Sequence, residues 1–173
     1  MPGQRFYKDH FEITTVLEQH YGQISQEFSE VAGQEIYLEW PETQLYNHGW
    51  NVFGLRFQRR DIELAHQYSP TLSYIIQQYD KLIATAGFSR MAAGTVIHPH
   101  AGYTSALLRC HMGIRIPDGD CCLKVDGETI HWQEGRSFIF DDTFIHEAWN
   151  NTAESRTILL LDLDKAILLN SKE

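Results

Sequence analysis

Histidines cluster in the second half of the chain, where their spacing could serve a metal ion. Of the nine histidines, four lie between residues 98 and 131, and His146 follows on a later segment. Two histidines and a carboxylate on one face of an iron ion leave three positions free for a co-substrate and oxygen. The usual pattern for that arrangement is His-x-Asp/Glu with a second His far downstream. Here His100 and His146 fill the histidine positions, and Gly102 stands where the carboxylate would be. On these residues alone, metal ligation and a structural or surface role are equally supported.

The elements that would position these residues begin with helices. Apolar residues recur at intervals of three and four from about His10 to Val31, which predicts an amphipathic helix. A loop is expected over residues 40–50, followed by a short strand near Val52 to Phe57. A second helix is predicted around Ile62 to Leu82, with an interruption near Ser69-Pro70. We expect these helices to pack on a sheet.

From about Leu82 the pattern changes to short strands separated by turn signals. Asp126-Gly127, between two of these strands, is a strong signal for a two-residue hairpin. The expected strands are 106–116, 121–125, 128–132, 135–140, 145–149 and 156–163. Even spacing with short polar turns is typical of a jelly roll or a small barrel.

The predicted fold is mainly β: a double-stranded β-helix (jelly roll, cupin-like) with N-terminal helices packed on one sheet. We expect one domain over 1–173, because 173 residues suit a single core. Within it, 1–80 would form a helical buttress with substrate-side loops, and 81–165 the jelly-roll catalytic core.

Composition excludes several classes of protein. The content of 43% hydrophobic and 21% charged residues is that of a globular chain. A net charge of -9, from 14 basic and 23 acidic residues, argues against a nucleic-acid partner. No apolar run approaches the roughly 20 residues that cross a bilayer, and no targeting segment is evident. We therefore expect a cytoplasmic protein without membrane insertion, whose three cysteines are free thiols.

Several motifs follow one another in a fixed order through the second half of the chain. They are His98-Pro99-His100-Ala101-Gly102, Leu108-Arg109-Cys110-His111-Met112-Gly113 with Ile116-Pro117, Trp132-x-x-Gly135-Arg136, the run from Phe140 to Trp149, and Arg156. In this order and spacing they closely resemble the aspartyl/asparaginyl β-hydroxylase family of Fe(II)- and 2-oxoglutarate-dependent oxygenases. The resemblance runs from about Phe88 to Asp164, and the N-terminal third matches only loosely.

The resemblance implies a metal site. His100 and His146 correspond to the family's two iron ligands, and a glycine in place of the carboxylate, here Gly102, is itself a feature of these hydroxylases. Asp142 corresponds to an acidic residue that holds a water at the third position, as a carboxylate beside a metal can do without binding it. The alternative for Asp142 is an aspartate that initiates the turn at Asp-Asp-Thr, because aspartate favours turns intrinsically. His98, two residues before His100, is expected on the same face and is the next candidate ligand.

The resemblance also implies a site for 2-oxoglutarate. Arg156 corresponds to the arginine that pairs with the distal carboxylate, where Ser89 and Met91 would also contribute. An arginine suits this task because its fork binds a carboxylate through two parallel hydrogen bonds. Arg109 and His111 match the pair near the other carboxylate, and residues two apart on a strand can point into one interior. Judged without the family, Arg156 is more readily a surface residue at the start of a strand.

The function implied is hydroxylation of an unactivated C–H bond in a small molecule, an amino acid or an Asp/Asn-type residue. Molecular oxygen would be consumed, and succinate and CO2 released. Leu107 stands where the peptide hydroxylases commonly have an arginine that holds an acidic side chain, so a smaller substrate becomes plausible. Its pocket could be lined by Trp40, Tyr46, Trp50 and Tyr103, although buried aromatic residues more often belong to the core.

Two alternatives remain open at this point. Gly102 in the carboxylate position also leaves room for chloride at iron, as in related oxygenases that halogenate small molecules. A non-catalytic, cupin-like carboxylate-binding protein would instead keep the pocket without the reaction. The substrate itself cannot be read from the motifs, because specificity in such folds comes from the loops.

Overall fold

Two antiparallel sheets face each other in the computed structural model, which describes residues 4–32 and 37–171. The larger sheet comprises β1 (Phe6–Tyr7), β2 (Leu38–Glu39), β3 (Trp50–Phe57), β4 (Arg60–Asp61), β5 (Ile83–Met91), β7 (Leu107–Arg115), β10 (Ser137–Phe140) and β12 (Arg156–Asp164). The smaller sheet comprises β6 (Val96–His100), β8 (Cys121–Val125), β9 (Glu128–His131) and β11 (His146–Asn150). The strand orders are β1-β10-β7-β12-β5-β3-β2, with β4 paired to β3, and β6-β11-β8-β9. The predicted jelly-roll fold is confirmed.

Helices cover the outer face of the larger sheet, as the sequence predicts. They are α1 (Glu12–Gln19), α2 (Tyr21–Val31), α3 (Glu63–His66), α4 (Pro70–Gln78) and α5 (Lys165–Asn170), with a 3₁₀ turn at Thr43–Leu45. The single helix expected from His10 to Val31 is two helices, because His20 between them leaves helical geometry at φ -95° and ψ 8°. The interruption expected at Ser69-Pro70 separates α3 from α4, with proline at the first helical position.

The larger sheet separates two apolar layers. Side chains alternate across a strand, so neighbours on β12 enter different layers. Leu159 and Leu161 pack under the helices, whereas Ile158 and Leu160 pack between the two sheets. The same alternation places Arg156 and Asp162 on the inter-sheet side. That side carries the candidate site residues Arg109, His111 and Arg156.

An irregularity in β6 decides which histidine faces the interior. His100 pairs with His146 across β11, but the next pair is Ile97 with Ala148, so β6 holds one residue more than its partner. Ile97 is consequently buried, while His98 is exposed. The expectation that His98 shares the face of His100 is wrong, because the extra residue reverses the alternation. Pro99 is compatible with this strand, since β6 lies at the edge of the smaller sheet.

Cys110, Cys121 and Cys122 are all free and buried. Over the described ranges 4–32 and 37–171, none of the helices combines the length and apolar character required to cross a bilayer.

Candidate active site

A cavity lies between the two sheets and encloses about 390 Å³, counting the part open to solvent. Six of the residues implied by the motifs line it: Ser89, His100, Arg109, His111, His146 and Arg156. Strands β5, β7 and β12 supply four of them from the larger sheet, and β6 and β11 supply the two histidines from the smaller one. The fold thus gathers residues that are up to 67 positions apart in sequence, as Ser89 and Arg156 are.

His100 and His146 form the metal-competent part of the cavity. Their ring centroids lie 4.2 Å apart, and the two residues are register partners on β6 and β11. Nδ1 of His100 donates to the carbonyl of His98 at 2.7 Å, and Nδ1 of His146 donates to the carbonyl of Phe144 at 2.9 Å. Because a carbonyl only accepts, Nδ1 of each ring carries a proton, so Nε2 is the nitrogen that can offer a lone pair to a metal. Burial lowers the pKa of His146 to about 4, so this ring is neutral near pH 7.

The carboxylate of Asp142 lies beside the histidines and is held by Arg109. Arg109 Nη2 contacts Asp142 Oδ2 at 3.2 Å, while its Nε donates to Asp162 Oδ1 at 3.0 Å. The backbone N–H of Gly102 donates to the carbonyl of Asp142 at 2.7 Å. Burial raises the pKa of Asp142, and the charge of Arg109 opposes that rise. Among the described residues no group of three metal-binding side chains converges, so the two histidines have no third protein ligand there.

His111 presents one unpaired donor to the cavity. Trp132 Nε1 donates to His111 Nδ1 at 3.2 Å, and the rings of Phe138 and Phe140 lie edge-on to the imidazole at 5.7 and 5.1 Å. Burial, together with the charge of Arg109, holds the pKa of His111 well below its usual value, so the ring is neutral. Its Nε2 is buried and has no hydrogen-bond partner within residues 4–32 and 37–171. A buried donor without an acceptor is costly, and an anion in the cavity would satisfy it.

Arg156 is a buried cation without a counter-ion among the described residues. Its side chain is only 2% exposed, and it forms no ion pair there. Nη1 donates to the Ser89 carbonyl at 3.1 Å, Nη2 contacts Met91 Sδ, and Nε has no partner. The ring of Trp132 lies 4.5 Å from Cζ. Burial lowers the pKa of Arg156 to about 10, which leaves it charged at neutral pH and in need of an anion.

The hydroxyl of Ser89 is directed by a second tryptophan. Trp50 Nε1 donates to Ser89 Oγ at 3.0 Å, so the hydroxyl hydrogen is available to another acceptor. Met91, the remaining residue implied for this end, contacts Arg156 and does not line the cavity. It therefore lies behind the arginine.

The aromatic residues expected around a substrate divide into three groups. Trp50 lines the cavity, whereas Trp40 stacks on it at 4.2 Å and Tyr46 meets it edge-on at 5.5 Å from behind. Tyr103 is 85% exposed on the loop after β6, where its hydroxyl bonds to Glu42. Glu42 also accepts from Trp40 Nε1 at 3.2 Å, which links the two loops.

Three residues of this site carry no role in the motif-based prediction. Trp132 belongs to a family motif, but its position after a hairpin indicates only a core residue. Its contacts with His111 and Arg156 are evident only in the structure. Asp162 could have been found by alternation, since it lies on the same face of β12 as Arg156. Glu42 has no sequence signal, because its approach to Arg109 depends on the path of a loop.

Comparison with protein families decides the relationship. The family model described as aspartyl/asparaginyl beta-hydroxylase matches residues 18–166. The chain belongs to this family. Its members are hydroxylases that use Fe(II) and 2-oxoglutarate, so the predicted enzyme class and cofactors are confirmed at the level of the family. The match also reaches much further toward the N-terminus than the motifs between Phe88 and Asp164.

Individual relatives cover the chain to different extents. The mouse (Mus musculus) aspartyl/asparaginyl beta-hydroxylase is 32% identical over 158 residues, which is 88% of this chain and 21% of that protein. The ornithine lipid ester-linked acyl 2-hydroxylase of Rhizobium tropici is 38% identical over 87 residues, which is 49% of this chain and 31% of that protein. The chain thus spans less than a third of either relative's length.

A solved structure shares the fold at low sequence identity. HygX from Streptomyces hygroscopicus, with nickel and 2-oxoglutarate bound, has a TM-score of 0.59 and 9% identity, over 83% of this chain and 78% of that one. The likeness supports the jelly-roll architecture.

Proposed function

We propose that this chain is an Fe(II)- and 2-oxoglutarate-dependent hydroxylase that oxidises an unactivated C–H bond of a small molecule or a peptide residue, releasing succinate and CO2. The observation that carries the proposal is Arg156, a buried cation without a carboxylate partner in the described part of the chain. The unpaired His111 Nε2 and the free Nε2 atoms of two histidines line the same cavity. A buried cation, an unpaired donor and two metal-competent nitrogens in one cavity suit a dicarboxylate bound beside a metal.

Each end of the co-substrate would meet side chains that donate hydrogen bonds to its carboxylate. Arg156 would pair with the distal carboxylate, and the free hydrogen of the Ser89 hydroxyl would donate to the same group. His111 Nε2 would donate to the opposite end, near Arg109. His100 and His146 would hold Fe(II) through their Nε2 atoms. When bound, iron and 2-oxoglutarate activate oxygen for attack on a C–H bond, which side chains alone cannot do.

Asp142 supports hydroxylation over halogenation. Its carboxylate lies in the space beside Gly102 that the halogenase alternative reserves for chloride. A fixed anion there disfavours a second anion and favours a water that donates to it. We therefore assign Asp142 the task of holding a water at the metal, with Arg109 keeping the carboxylate in place.

Charge around Arg109 favours a neutral or cationic substrate over an acidic one. This single guanidinium contacts Asp142 and Asp162 and also experiences the charge of Glu42. Three carboxylates against one cation leave no spare positive charge for an acidic side chain. Leu107, at the start of β7, supplies none either. The R. tropici relative, named for hydroxylation of an acyl chain, is compatible with a substrate other than an acidic peptide residue.

The test is turnover by the purified chain with Fe(II), 2-oxoglutarate and oxygen, read as succinate by mass spectrometry. We expect succinate above the level of a His146→Ala control, rising with a panel of neutral and amine-bearing substrates. Binding of 2-oxoglutarate without succinate under any substrate would favour the carboxylate-binding protein. Products whose mass depends on added chloride would favour the halogenase.

A further inference from the structure

Trp132, the residue directly after β9, contacts both anion-binding side chains of the cavity. Its indole N–H donates to His111 at 3.2 Å, and its ring lies 4.5 Å from the guanidinium carbon of Arg156. The side chain itself is buried, at 3% exposure. We propose that Trp132 is a positioning residue that makes both ends of the co-substrate site proton donors. The proposal rests on the proposed function for the identity of the ligand. The fixed tautomer of His111 and the ring contact with Arg156 do not depend on that function.

The contact with His111 fixes which ring nitrogen carries the proton. A neutral imidazole has one donor and one acceptor, and an indole N–H can only donate. Trp132 Nε1 therefore requires the lone pair of His111 Nδ1, and the proton must reside on Nε2. Phe138 and Phe140 offer no competing acceptor, since both present apolar rings. Nε2–H is thus a committed donor, and it is the atom without a partner.

The contact with Arg156 stabilises the cation without using its hydrogen-bonding capacity. A tryptophan face attracts a guanidinium electrostatically, most strongly where water is excluded. A carboxylate in the same place would occupy the N–H groups and neutralise the charge. Because the ring takes up none of these donors, Nε of Arg156 remains free for a ligand.

Trp132 thus contacts both His111 and Arg156, and the unpaired nitrogen of each is a hydrogen-bond donor. Removing the indole N–H while keeping an aromatic ring separates the two contacts. In Trp132→Phe, His111 loses its fixed tautomer, and a fraction of molecules would present a lone pair to the co-substrate carboxylate. The ring under Arg156 would be retained in weaker form.

The experiment compares the wild-type chain, Trp132→Phe and the control Trp149→Phe. Trp149 also donates its indole N–H, to Asp120 at 2.6 Å, but it lies outside the cavity lining. The histidine rings are labelled with ¹⁵N, and the His111 signals are assigned by their loss in His111→Asn. Binding of 2-oxoglutarate is measured by calorimetry in the presence of Mn²⁺, which replaces iron and prevents turnover.

In the wild type and in Trp149→Phe we expect His111 to show a protonated Nε2 and an unprotonated Nδ1. In Trp132→Phe we expect a mixture of tautomers and a Kd for 2-oxoglutarate about tenfold weaker, equivalent to one ordinary hydrogen bond. A wild-type ring protonated at Nδ1 would overturn the proposal, and that spectrum suffices even if Trp132→Phe does not fold. An unchanged Kd in a folded Trp132→Phe would also overturn it. Absence of 2-oxoglutarate binding by the wild type would instead refute the proposed function, while the tautomer remains measurable in the ligand-free protein.

Discussion

The carboxylate of Asp142 occupies the space in which a side chain at Gly102 would begin. A Cβ at position 102 would lie 2.6 Å from Asp142 Oδ2, closer than real Cβ atoms approach other groups. The two residues also share a backbone hydrogen bond of 2.7 Å. Steric exclusion by Asp142 therefore explains why position 102 is a glycine. The acidic group of the site is supplied by Asp142 and not by residue 102.

We expect Gly102→Ala to disturb the site, because the added methyl group meets the Asp142 carboxylate. Overpacking of this kind costs about 1 to 3 kcal/mol of the free energy of unfolding. Gly102→Asp should cost at least as much and should not raise turnover. Its side chain would enter the place of Asp142 and put two carboxylates together. Denaturant unfolding and succinate release measure the two effects.

The matched control exchanges the two residue types in Gly102→Asp/Asp142→Gly. Removing the Asp142 side chain clears the space, so the double variant should unfold at higher denaturant concentration than Gly102→Asp alone. Equal stability of the single and double variants would show that the two side chains do not compete for this space.

His100→Ala and His98→Ala should differ sharply in metal binding. His100 lies next to His146 in the cavity, whereas His98 is exposed on the other face of β6. We expect His100→Ala to abolish Mn²⁺ or Fe(II) binding measured by calorimetry, since two protein ligands leave no substitute. His98→Ala should bind within about twofold of the wild type. Metal retained by His100→Ala would place the site elsewhere.

Arg156→Met should separate co-substrate binding from stability. Loss of the partner of a buried carboxylate costs about 2 to 5 kcal/mol, so the affinity for 2-oxoglutarate should fall by at least tenfold. The free energy of unfolding of the ligand-free protein should stay equal or rise, because a buried cation without a counter-ion is replaced by an apolar side chain of similar length. The exposed Arg136→Met provides the control, and its affinity should not change. A large loss of stability in Arg156→Met would mean that the cation has a structural partner.

Acid should loosen the turn that carries Asp142. Asp141 is buried, which by itself raises the pKa, but Lys165 at 2.8 Å and Thr143 at 2.6 Å reverse this effect and lower the pKa below the ordinary value. A lowered pKa in the folded state contributes stability above the unfolded value of about 3.9 and loses it as the pH falls further. Asp141→Asn should therefore cost about 1 to 3 kcal/mol at pH 7 and progressively less as the pH falls below the unfolded pKa. Thermal unfolding across this range measures the difference, and a cost independent of pH would contradict it.

The sequence predicts the strands from residue 106 onward well, because each is a short segment that ends in a turn signal. It also places Arg109 and His111 on one face, since β7 is regular between Leu107 and Gly113. The prediction that His98 shares the face of His100 is wrong, because one extra residue in β6 reverses the alternation. No local sequence pattern indicates this bulge. The sequence also does not predict the break at His20, because the apolar spacing continues from α1 into α2. The contacts of Trp132 depend on the packing of one sheet on the other, which short-range patterns do not encode.

From the unpaired donors of His111 and Arg156 we expect the lifetime of the protein to depend on the concentration of 2-oxoglutarate. A ligand that binds only the folded state adds stability that grows with the logarithm of its concentration, about 2.7 kcal/mol at a hundred times Kd. Because these unpaired donors are brought together only in the folded chain, 2-oxoglutarate should bind the folded state, raise the melting temperature and slow proteolysis. The amount of intact protein in a cell would then follow the supply of its co-substrate, in addition to the rate at which the chain is made.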